Sequence, residues 1–584
     1  MNTEIDPRIN AGQLNRKQAY TSPVKAWFKA LGGFATRLTA LSRGFILLLV
    51  LLLVAILSVA VVFPNRVTPA SAGPEKFSAE RAMVHLPIIA REPHPEGSPA
   101  QARVRDYLAG QLADMGLAVT IQQSGSLENV VARLPGFDST GAIVILAHYD
   151  TVSYSPGAGD NGSADSALLE IMRALSAGST PRNDIIALFD DGEEAPDIYA
   201  GTKAFVRENP LMRDVRVAIS IDTAVAGPIA TNEVGPNNGW LVGVLADAYN
   251  GGAWTSFSGG GDYNSTPFRE AGTLVLALED NYPFRQKHTA EDLPGIIRPA
   301  SVQQMGEQTL AIVRELGSRD LVDPWGEQET FFSVPGLGLV HYPLTWSLPL
   351  SIAAGIFLLI ALVLAYRSGF VAWRGLLIAF GTILLTTVFA VVIVTAIQPT
   401  LPRLFGWETL HWPDWPEVIP PNGWVAVILI DLLVLGLVLG TYLLARRWTT
   451  RSDFSLVGLL LFLLPSLALA VAEPRAAYAF LWPVLIGSLG CILAAVAGRK
   501  NTKWSLDLAA LLSALPLVVL LLPFLPGVVM ADGMKSLNIL AAFEALMLGV
   551  FLPVVDALLV RRPKSIRADS PAEYFAGVKE GELS

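Results

Sequence analysis

The sequence predicts two kinds of structure in one chain: an α/β domain and an all-α region of several membrane spans. Its 584 residues are too many for one ordinary core, and 52% of them are hydrophobic. The apolar residues are concentrated in one run near the N-terminus and in several runs beyond about residue 345. Between these regions, β-branched runs alternate with helical patterns, which is typical of an α/β fold.

The apolar runs are each about long enough to cross a ~30 Å hydrocarbon layer. The first is Gly44–Phe63. The later runs are approximately Thr345–Tyr366, Leu376–Ile397, Trp424–Ala445, Phe454–Ala472, Ala477–Gly498, Leu506–Leu525 and Leu537–Val560. The sequence therefore predicts eight spans, of which the first is an anchor and the other seven form a membrane domain.

Positive charge indicates how these spans are oriented. The basic residues before the first span are Arg8, Arg16, Lys17, Lys25, Lys29, Arg37 and Arg43. By the positive-inside rule this segment is cytoplasmic, and eight spans return the C-terminal tail to the same side. The alternative is a cleaved signal peptide, which the small residues 70–72 favour. The apolar run is longer than the ~7–15 residues typical of such peptides.

These observations divide the chain into five parts. They are a cytoplasmic segment 1–43, an anchor 44–63, an α/β domain 64–344, a seven-span domain 345–560 and a cytoplasmic tail 561–584. The α/β domain is then expected on the periplasmic, extracellular or lumenal side of an integral membrane protein. The spans of this protein are expected to lie in the lipid bilayer. The net charge of −9, with basic residues placed beside the spans, gives no sign of nucleic-acid binding.

Strands and helices are expected to alternate through the α/β domain. The predicted strands are Leu117–Gln122, Asn129–Leu134, Ala142–Ala147, Asp184–Phe189, Val215–Ile221 and Thr273–Leu278. The predicted helices are Ala100–Met115, Ser163–Ala177, Lys203–Glu208, Leu241–Ala248 and Ala300–Leu316. Cys491, the only cysteine, lies in an apolar run, so a metal site in this domain would have to use His, Asp and Glu.

Metal-ligand side chains begin where the third predicted strand ends. The run AIVILAHYDTV places His148 and Asp150 two positions apart, on the same face of an extended chain. If the imidazole binds a metal, a nearby carboxylate can hold its tautomer and orientation. Taken alone, a strand-end histidine without a ligand role is the simpler interpretation.

Acidic residues follow in two further segments. Asp160 lies in a Gly-rich turn just before a helix, where a helix-capping role is the ordinary alternative. Glu193 and Glu194 follow the next strand, so one carboxylate could bind metal while the other accepts a proton from metal-bound water. Asp190 and Asp191 precede that pair and are interpreted as surface charge or as supports for the ligands.

Two more candidates end the series. Asp222 closes an apolar strand, where an unpaired buried carboxylate would be costly without a cation. His288 lies four residues before Asp292, a carboxylate that could orient its ring. Since parallel strands bring their carboxyl ends to one edge, these positions are expected to converge. Carboxylate and imidazole are ligands that zinc accepts, so the set predicts a dizinc hydrolase.

The ordered motifs AHYDTV, AGDNGSADSALL, FDDGEEA, SIDTA and KHTAEDLP resemble those of the dizinc metallopeptidases of family M28. The resemblance covers roughly residues 75–315. The layout of one span, a peptidase domain and several later spans also resembles the membrane-bound members from vacuoles and the endoplasmic reticulum. The implied fold is a mixed central sheet flanked by helices, as in zinc aminopeptidases.

The resemblance also implies a role for each candidate residue. Two Zn²⁺ ions per chain would be held by His148 and Asp222 on one side and by Glu194 and His288 on the other. Asp160 would bridge them, Glu193 would be the general base and Asp150 would support His148. The implied function is a membrane-anchored exopeptidase, most simply an aminopeptidase, in which a hydroxide between the metals attacks a bond of a peptide or protein substrate.

Two alternatives stay open at this point. The domain could be a scaffold or a transporter-associated peptidase fold without catalysis, or a single-zinc transferase like the glutaminyl cyclases that share this scaffold. The segments Ala195–Thr202 and Asp262–Phe268 are longer than the corresponding family motifs, so no residue is assigned to stabilise a tetrahedral intermediate. Asp431 and Glu544 are the acids expected deep in the spans, and no proton pathway is assigned to them.

Overall fold

The computed structural model describes residues 43–194, 196–248, 251–252, 254–256, 263–280, 286–406, 423–497, 502–522 and 537–559. The predicted cytoplasmic segment, except Arg43, lies outside the described residues, and so does the predicted tail 561–584. The same is true of Asp262 and of residues 523–525, which end the predicted span Leu506–Leu525.

In the described residues, nine strands form a large mixed sheet and a separate hairpin. They are β1 (Ala118–Ser124), β2 (Leu127–Leu134), β3 (Ala142–His148), β4 (Asp184–Asp190), β5 (Val215–Asp222), β6 (Ile229–Val234), β7 (Leu274–Asp280), β8 (Glu329–Val334) and β9 (Gly338–Pro343). The large sheet has the order β1-β2-β4-β3-β5-β7-β6, and β8 pairs with β9 in the hairpin. The central strands β4, β3, β5 and β7 are parallel, while β1, β2 and β6 are antiparallel to their neighbours.

Strand β3 shows why the centre of the sheet is so hydrophobic. All seven of its residues are buried, as expected where helices cover both faces of a parallel sheet. Ile143 and Ile145 pack into the core on one face, and the alternating Val144 and Leu146 pack into the core on the other. The strand is therefore fixed in register by apolar packing on both sides.

Helices cover both faces of the sheet. The helices between the first span and the hairpin are α2 (Ala79–Ala82), α3 (Leu86–Ile89), α4 (Pro99–Asp114), α5 (Ser163–Ser176), α6 (Ala200–Glu208), α7 (Gly239–Ala248), α8 (Thr266–Glu270) and α9 (Pro299–Ser318). Helices α4, α5, α7 and α9 contribute to the core on one face. Phe205 of α6 and Phe268 of α8 pack together on the opposite face, with ring centroids 5.7 Å apart.

The observed elements match the predicted ones closely, with three strands missed. Each predicted strand and helix of the domain is present, with ends that differ by up to three residues. Strand β6 was missed because its sequence IATNEV is short, mostly polar in its second half and lies at the sheet edge. Strands β8 and β9 were missed because they form a hairpin immediately before the next apolar helix, outside the α/β pattern.

The apolar region is a helical bundle. Its helices are α1 (Arg43–Val62), α10 (Ser347–Arg367), α11 (Trp373–Ile397), α12 (Leu401–Phe405), α13 (Gly423–Ala445), α14 (Arg451–Ala472), α15 (Tyr478–Ala497), α16 (Thr502–Leu520) and α17 (Leu537–Leu559). Among the described residues, seven helices are long and apolar enough to cross a membrane. The predicted span Leu506–Leu525 corresponds to α16, whose apolar part Ser505–Leu520 is shorter than the others.

The first helix packs among the last ones. Leu47 and Leu51 of α1 share a buried cluster with Ala510 and Ala514 of α16 and with Val554 of α17. Gly44 allows the closest approach, since a Cβ atom there would lie 2.3 Å from the backbone carbonyl carbon of Ala557. The anchor is thus part of the bundle rather than an isolated tether. The carboxyl groups of Asp431 of α13 and Glu544 of α17 lie close to each other.

The hairpin joins the α/β domain to the bundle. Phe332 of β8 stacks on Tyr478 of α15, with ring centroids 4.4 Å apart and planes within 7° of parallel. The Tyr478 hydroxyl also shares a hydrogen bond of 2.8 Å with the hydroxyl of Thr255. Tyr342 and Trp482 pack around the same cluster. Since both Phe332 and Tyr478 are buried, this contact is expected to hold the domain against the bundle.

We expect Phe332→Ala to destabilise the protein by about 3–5 kcal/mol, because the substitution removes a buried aromatic ring and leaves a cavity. The matched control is Phe137→Ala, since Phe137 is 72% exposed. Thermal unfolding of each full-length variant in detergent measures the loss of stability. Proteolysis near the hairpin measures whether the contact with the bundle is loosened. Equal melting temperatures for the two variants would contradict the role assigned to the stacked pair.

Candidate metal centre

Three adjacent parallel strands deliver the candidate ligands to one edge of the sheet. His148 is the last residue of β3, Asp222 is the last residue of β5, and Glu193 and Glu194 follow β4. Asp160 comes from the turn Ala158–Gly162 that leads into α5. The carboxyl ends of parallel strands lie side by side, so strand order alone brings these segments together. His288 reaches the same place from the segment after β7.

The ligand atoms form two groups that share one residue. His148, Asp160 and Asp222 make the first group, and Asp160, Glu194 and His288 make the second. Within each group the candidate ligand atoms lie within 4.8 Å of one another. This is the grouping that the family resemblance implies for two metal ions with Asp160 between them.

Asp160 faces both groups with different oxygen atoms. Its Oδ1 lies 3.4 Å from Nε2 of His148, and its Oδ2 lies 3.0 Å from Nε2 of His288. Oε1 of Glu194 is also 3.0 Å from Nε2 of His288. Each imidazole therefore presents its Nε2 to a carboxylate. Asp160 lies between the two ligand groups, where it could contact both metal ions.

The chemistry of the donor set fits divalent cations. Several fully buried polar atoms at this centre have no hydrogen-bond partner in the described part of the chain. They are Nε2 of His148, both carboxylate oxygens of Asp160, Oε2 of Glu193 and Oδ1 of Asp222. Burying such atoms without a partner is costly, whereas a metal ion would satisfy them together. The residues present therefore fit zinc, which accepts both imidazole nitrogen and carboxylate oxygen.

Asp150 holds the strand ends in position. Its Oδ1 and Oδ2 accept hydrogen bonds from the backbone N–H groups of Glu193 and Glu194, each at 3.0 Å. Its backbone oxygen lies 3.1 Å from Nδ1 of His148, and its Oδ1 lies 3.6 Å from the same nitrogen. Asp150 thus lies against the ring of His148, where a supporting carboxylate would be. It also fixes the acidic pair, which the sequence did not indicate.

Asp292 does not orient His288, contrary to the expectation from their spacing. Its carboxylate oxygens accept hydrogen bonds from the backbone N–H groups of Gly159 at 2.6 Å and Asp160 at 3.2 Å. The ring of His288 points instead to Asp160 and Glu194. Burial, assisted by the nearby Asp160 charge, raises the pKa of Asp292 to about 7. The residue therefore positions the bridging carboxylate.

Asp190 and Asp191 are supports rather than surface charge, since both are completely buried. Thr202 donates its hydroxyl to Asp190 at 2.9 Å. Asp191 accepts hydrogen bonds from the side chain of Gln101 and from the backbone N–H of Glu128. Burial raises the pKa of each of these two aspartates to about 7. Together they tie the end of β4 to the neighbouring elements.

The charge distribution at the centre favours cations. Burial would lower the pKa of His148, but the surrounding carboxylates, led by Glu193, outweigh it and hold that pKa well above its usual value. Burial together with the charges of Asp222 and other acids raises the pKa of Glu193, against the influence of His148. For His288, the adjacent carboxylates of Asp160 and Glu194 outweigh burial and raise the pKa to about 9. The carboxylates around the two histidines therefore give this centre an excess of negative charge.

Lys287 is a residue of this centre that the sequence analysis did not identify. Its Nζ lies 3.4 Å from Oδ2 of Asp160. Burial opposes its charge, but Asp160, Asp222 and Glu194 outweigh it and keep the pKa of the ammonium well above its usual value. Its position immediately before His288 is the signal that could have revealed it. The chain therefore supplies one positive charge of its own to the group of carboxylates.

A cleft of about 360 Å³ opens beside the second ligand group. Its lining includes Asp150 and Glu194, so it reaches the metal centre directly. The opposite wall comes from the segment around Pro95 and from Tyr154. The arrangement offers a place for part of a substrate next to the ligand atoms.

The α/β domain is similar in sequence to known peptidases. Residues 129–313 match the sequence model described as Peptidase family M28. The endoplasmic reticulum metallopeptidase 1 of Mus musculus is 28% identical over 237 residues, which cover 37% of this chain and 26% of that protein. The vacuolar membrane protease of Candida albicans SC5314 is 28% identical over 263 residues, covering 41% and 30%. The chain therefore matches only about a quarter to a third of the length of these relatives.

A solved structure is also similar to the domain. The structure of a zinc aminopeptidase from Bacillus subtilis covers 43% of this chain and 99% of its own, with 15% sequence identity and a TM-score of 0.37.

The mixed sheet with helices on both faces carries the paired acidic and histidine side chains at its edge, where they could hold metal ions. The segment 129–313, which contains these side chains, is similar to peptidase family M28.

We expect Lys287→Met to strengthen zinc binding by at least ~10-fold. The ammonium group beside the carboxylates repels a divalent ion, and two unit charges 4 Å apart interact by about 4 kcal/mol at an effective dielectric constant of 20. Competition with a chelator of known affinity measures the change. The control is Lys203→Met, because Lys203 pairs with Asp197 on the surface. Unchanged or weaker zinc binding by Lys287→Met would show that the ammonium does not oppose the metal.

Proposed function

We propose that this chain is a membrane-anchored, zinc-dependent exopeptidase of the aminopeptidase type. The observation that carries the proposal is the pair of ligand groups sharing Asp160, with Glu193 beside them but in neither group. A ligand set with a separate carboxylate is what metal-assisted hydrolysis of a peptide bond requires. The family match over residues 129–313 supports the reaction class.

We assign two zinc ions to the centre. His148 and Asp222 would hold one ion, Glu194 and His288 the other, and Asp160 would contact both. Zinc, when bound, polarises the carbonyl of the scissile bond and makes a nucleophile available at neutral pH. The remaining chemistry depends on side chains of the chain itself.

Glu193 has the position and the environment of a general base. Its Oε2 lies 3.6 Å from Nε2 of His148, so the carboxylate faces the first ligand group. The backbone of Glu193 is fixed by its hydrogen bond to Asp150. Its pKa is raised, first by burial, which makes the carboxylate a better proton acceptor. Glu193 would take the proton of the nucleophile and pass it to the leaving amine.

We also propose that the α/β domain lies on the periplasmic, extracellular or lumenal side, with both termini in the cytoplasm. The C-terminal end of α1 and the N-terminal end of α10 both lead into the domain, so these two ends face the same side. At the opposite end of α10, Arg367 and Arg374 flank the turn to α11. Arg446, Arg447 and Arg451 likewise lie between α13 and α14. The positive-inside rule puts these clusters in the cytoplasm.

We expect Glu193→Gln to lower kcat by at least ~100-fold while zinc content stays unchanged, because general-base catalysis contributes about 10²–10⁴-fold. Hydrolysis of a mixed peptide library by the full chain, with and without blocked termini, measures activity, and elemental analysis measures zinc. Glu194→Gln is the comparison, since loss of a ligand should also lower zinc content. Full activity in Glu193→Gln would refute this mechanism.

The same experiment separates the alternative functions. Two zinc ions per chain with release of terminal amino acids support the exopeptidase. One zinc ion with pyroglutamate formation would instead indicate a cyclase, and a chain that binds no zinc and cleaves nothing would indicate a scaffold. Cleavage that requires a free amino terminus would establish the aminopeptidase type.

The proposed orientation predicts which surface residues a membrane-impermeant reagent reaches. Cys491 is the only cysteine, so Cys491→Ser provides a background for single introduced cysteines. Asp138→Cys, on the α/β domain, should react with an impermeant maleimide in intact cells or sealed vesicles of matching orientation. Ser368→Cys, between α10 and α11, should react only after permeabilisation. The opposite labelling pattern would indicate that the α/β domain lies in the cytoplasm.

A further inference from the structure

The cleft beside the metal centre has an acidic lining. The residues around it are Pro95, Glu96, Asp150, Thr151, Val152, Ser153, Tyr154, Glu194 and Pro196. This set contains carboxylates but no lysine, arginine or histidine. A substrate group entering the cleft therefore meets negative charge and no positive charge from the described lining. Such a surface attracts cations and repels anions.

Glu96 is the carboxylate of this lining that is left for a substrate. Asp150 already accepts two backbone N–H groups, and Glu194 belongs to the second ligand group. Glu96 is in neither ligand group and is only half buried. The hydroxyl of Ser126 donates a hydrogen bond of 2.5 Å to its Oε1, and the adjacent Pro95 restricts the backbone. The hydroxyl of Ser126 thus holds one oxygen of a carboxylate that belongs to the lining of the cleft.

The rest of the wall suits the aliphatic part of a long basic side chain. Val152, Pro95 and Pro196 provide apolar surface, and Tyr154 contributes an aromatic ring that is 55% exposed. Lysine and arginine commonly lay their methylene stems along apolar surface while the charged group reaches a polar partner. An aromatic face nearby also attracts cations.

We propose that this cleft selects substrates that carry a basic side chain, with the ammonium or guanidinium group paired to Glu96. The inference rests on the proposed peptidase function and names the substrate class of that same site. An α-ammonium group offers the same charge, but it is far smaller than a cleft of about 360 Å³. A lysine or arginine side chain uses both the volume and the apolar wall.

The test compares peptides that differ only in the residue beside the scissile bond. The zinc-loaded full chain in detergent is given peptides with arginine, norleucine or glutamate on either side of that bond. Each peptide has a free or an acetylated amino terminus. We expect arginine to exceed norleucine by about 10-fold in kcat/KM, mostly through KM, because a hydrogen bond between charged groups stabilises the bound arginine peptide. Glutamate should be the poorest substrate, and added salt should reduce these differences.

Two substitutions of Glu96 test whether its charge causes the preference for arginine. Glu96→Gln should remove most of the preference for arginine while leaving norleucine peptides nearly unaffected, and Glu96→Lys should favour glutamate. The matched control is Glu92→Gln, which removes the same charge four residues away, where Glu92 pairs with Arg103 on the surface. The control should keep the wild-type preference.

Each other outcome counts against the inference or against the function. Equal rates for arginine and norleucine, or an equal loss on all peptides in Glu96→Gln, would overturn the role of Glu96. A preference that depends only on the free amino terminus would assign the cleft to the α-ammonium group instead. If no peptide is cleaved, the proposed function fails. Calorimetric binding of the arginine and norleucine peptides to zinc-loaded Glu193→Gln then tests the cleft separately, and equal affinities would refute it.

Discussion

The accumulation of buried carboxylates at one edge of the sheet is the constraint on which the rest of this domain depends. Asp160, Glu193 and Asp222 converge there with His148, and several of their facing atoms have no hydrogen-bond partner within the described residues. Such a group is unfavourable unless positive charge accompanies it. Lys287 supplies one charge, and divalent ions would supply the rest. Supports such as Asp150 and Asp292 hold backbone segments so that the acidic side chains cannot move apart.

Much of this arrangement could be predicted from the sequence because the signals are local. The apolar run before His148 marks a strand buried on both faces, and the ligand types recur where such strands end. The roles of the residues that support the candidate ligands could not be predicted this way. Asp292 was expected to face His288 because the two are close in sequence, yet its partners lie across the turn at Gly159. Likewise, nothing in the run DD of β4 tells a surface acid from a completely buried one such as Asp191.

The contact between the α/β domain and the helical bundle could not be predicted from sequence patterns either. Phe332 and Tyr478 are far apart in the chain, and each has an ordinary local explanation as a strand or interfacial aromatic residue. Only the fold brings them into a stack, next to the hydrogen bond between Thr255 and Tyr478. Thr255 is in turn hydrogen-bonded to Thr231 of β6, the strand at the edge of the sheet. The bundle is therefore in contact with the part of the domain that builds the sheet edge, as well as with the linking hairpin.

The packing of α1 against α16 and α17 has a consequence for how the chain is made. A ribosome synthesises α1 first and α17 near the end, so Leu47 and Gly44 meet their partners only after almost everything between them has been translated. Until then the first helix must remain in the bilayer with lipid, or with a helper protein, along the face that Ala514 and Ala557 later cover. The α/β domain, in contrast, has all its strands available much earlier. Assembly of the membrane bundle is therefore completed late, when the α/β domain can already be folded.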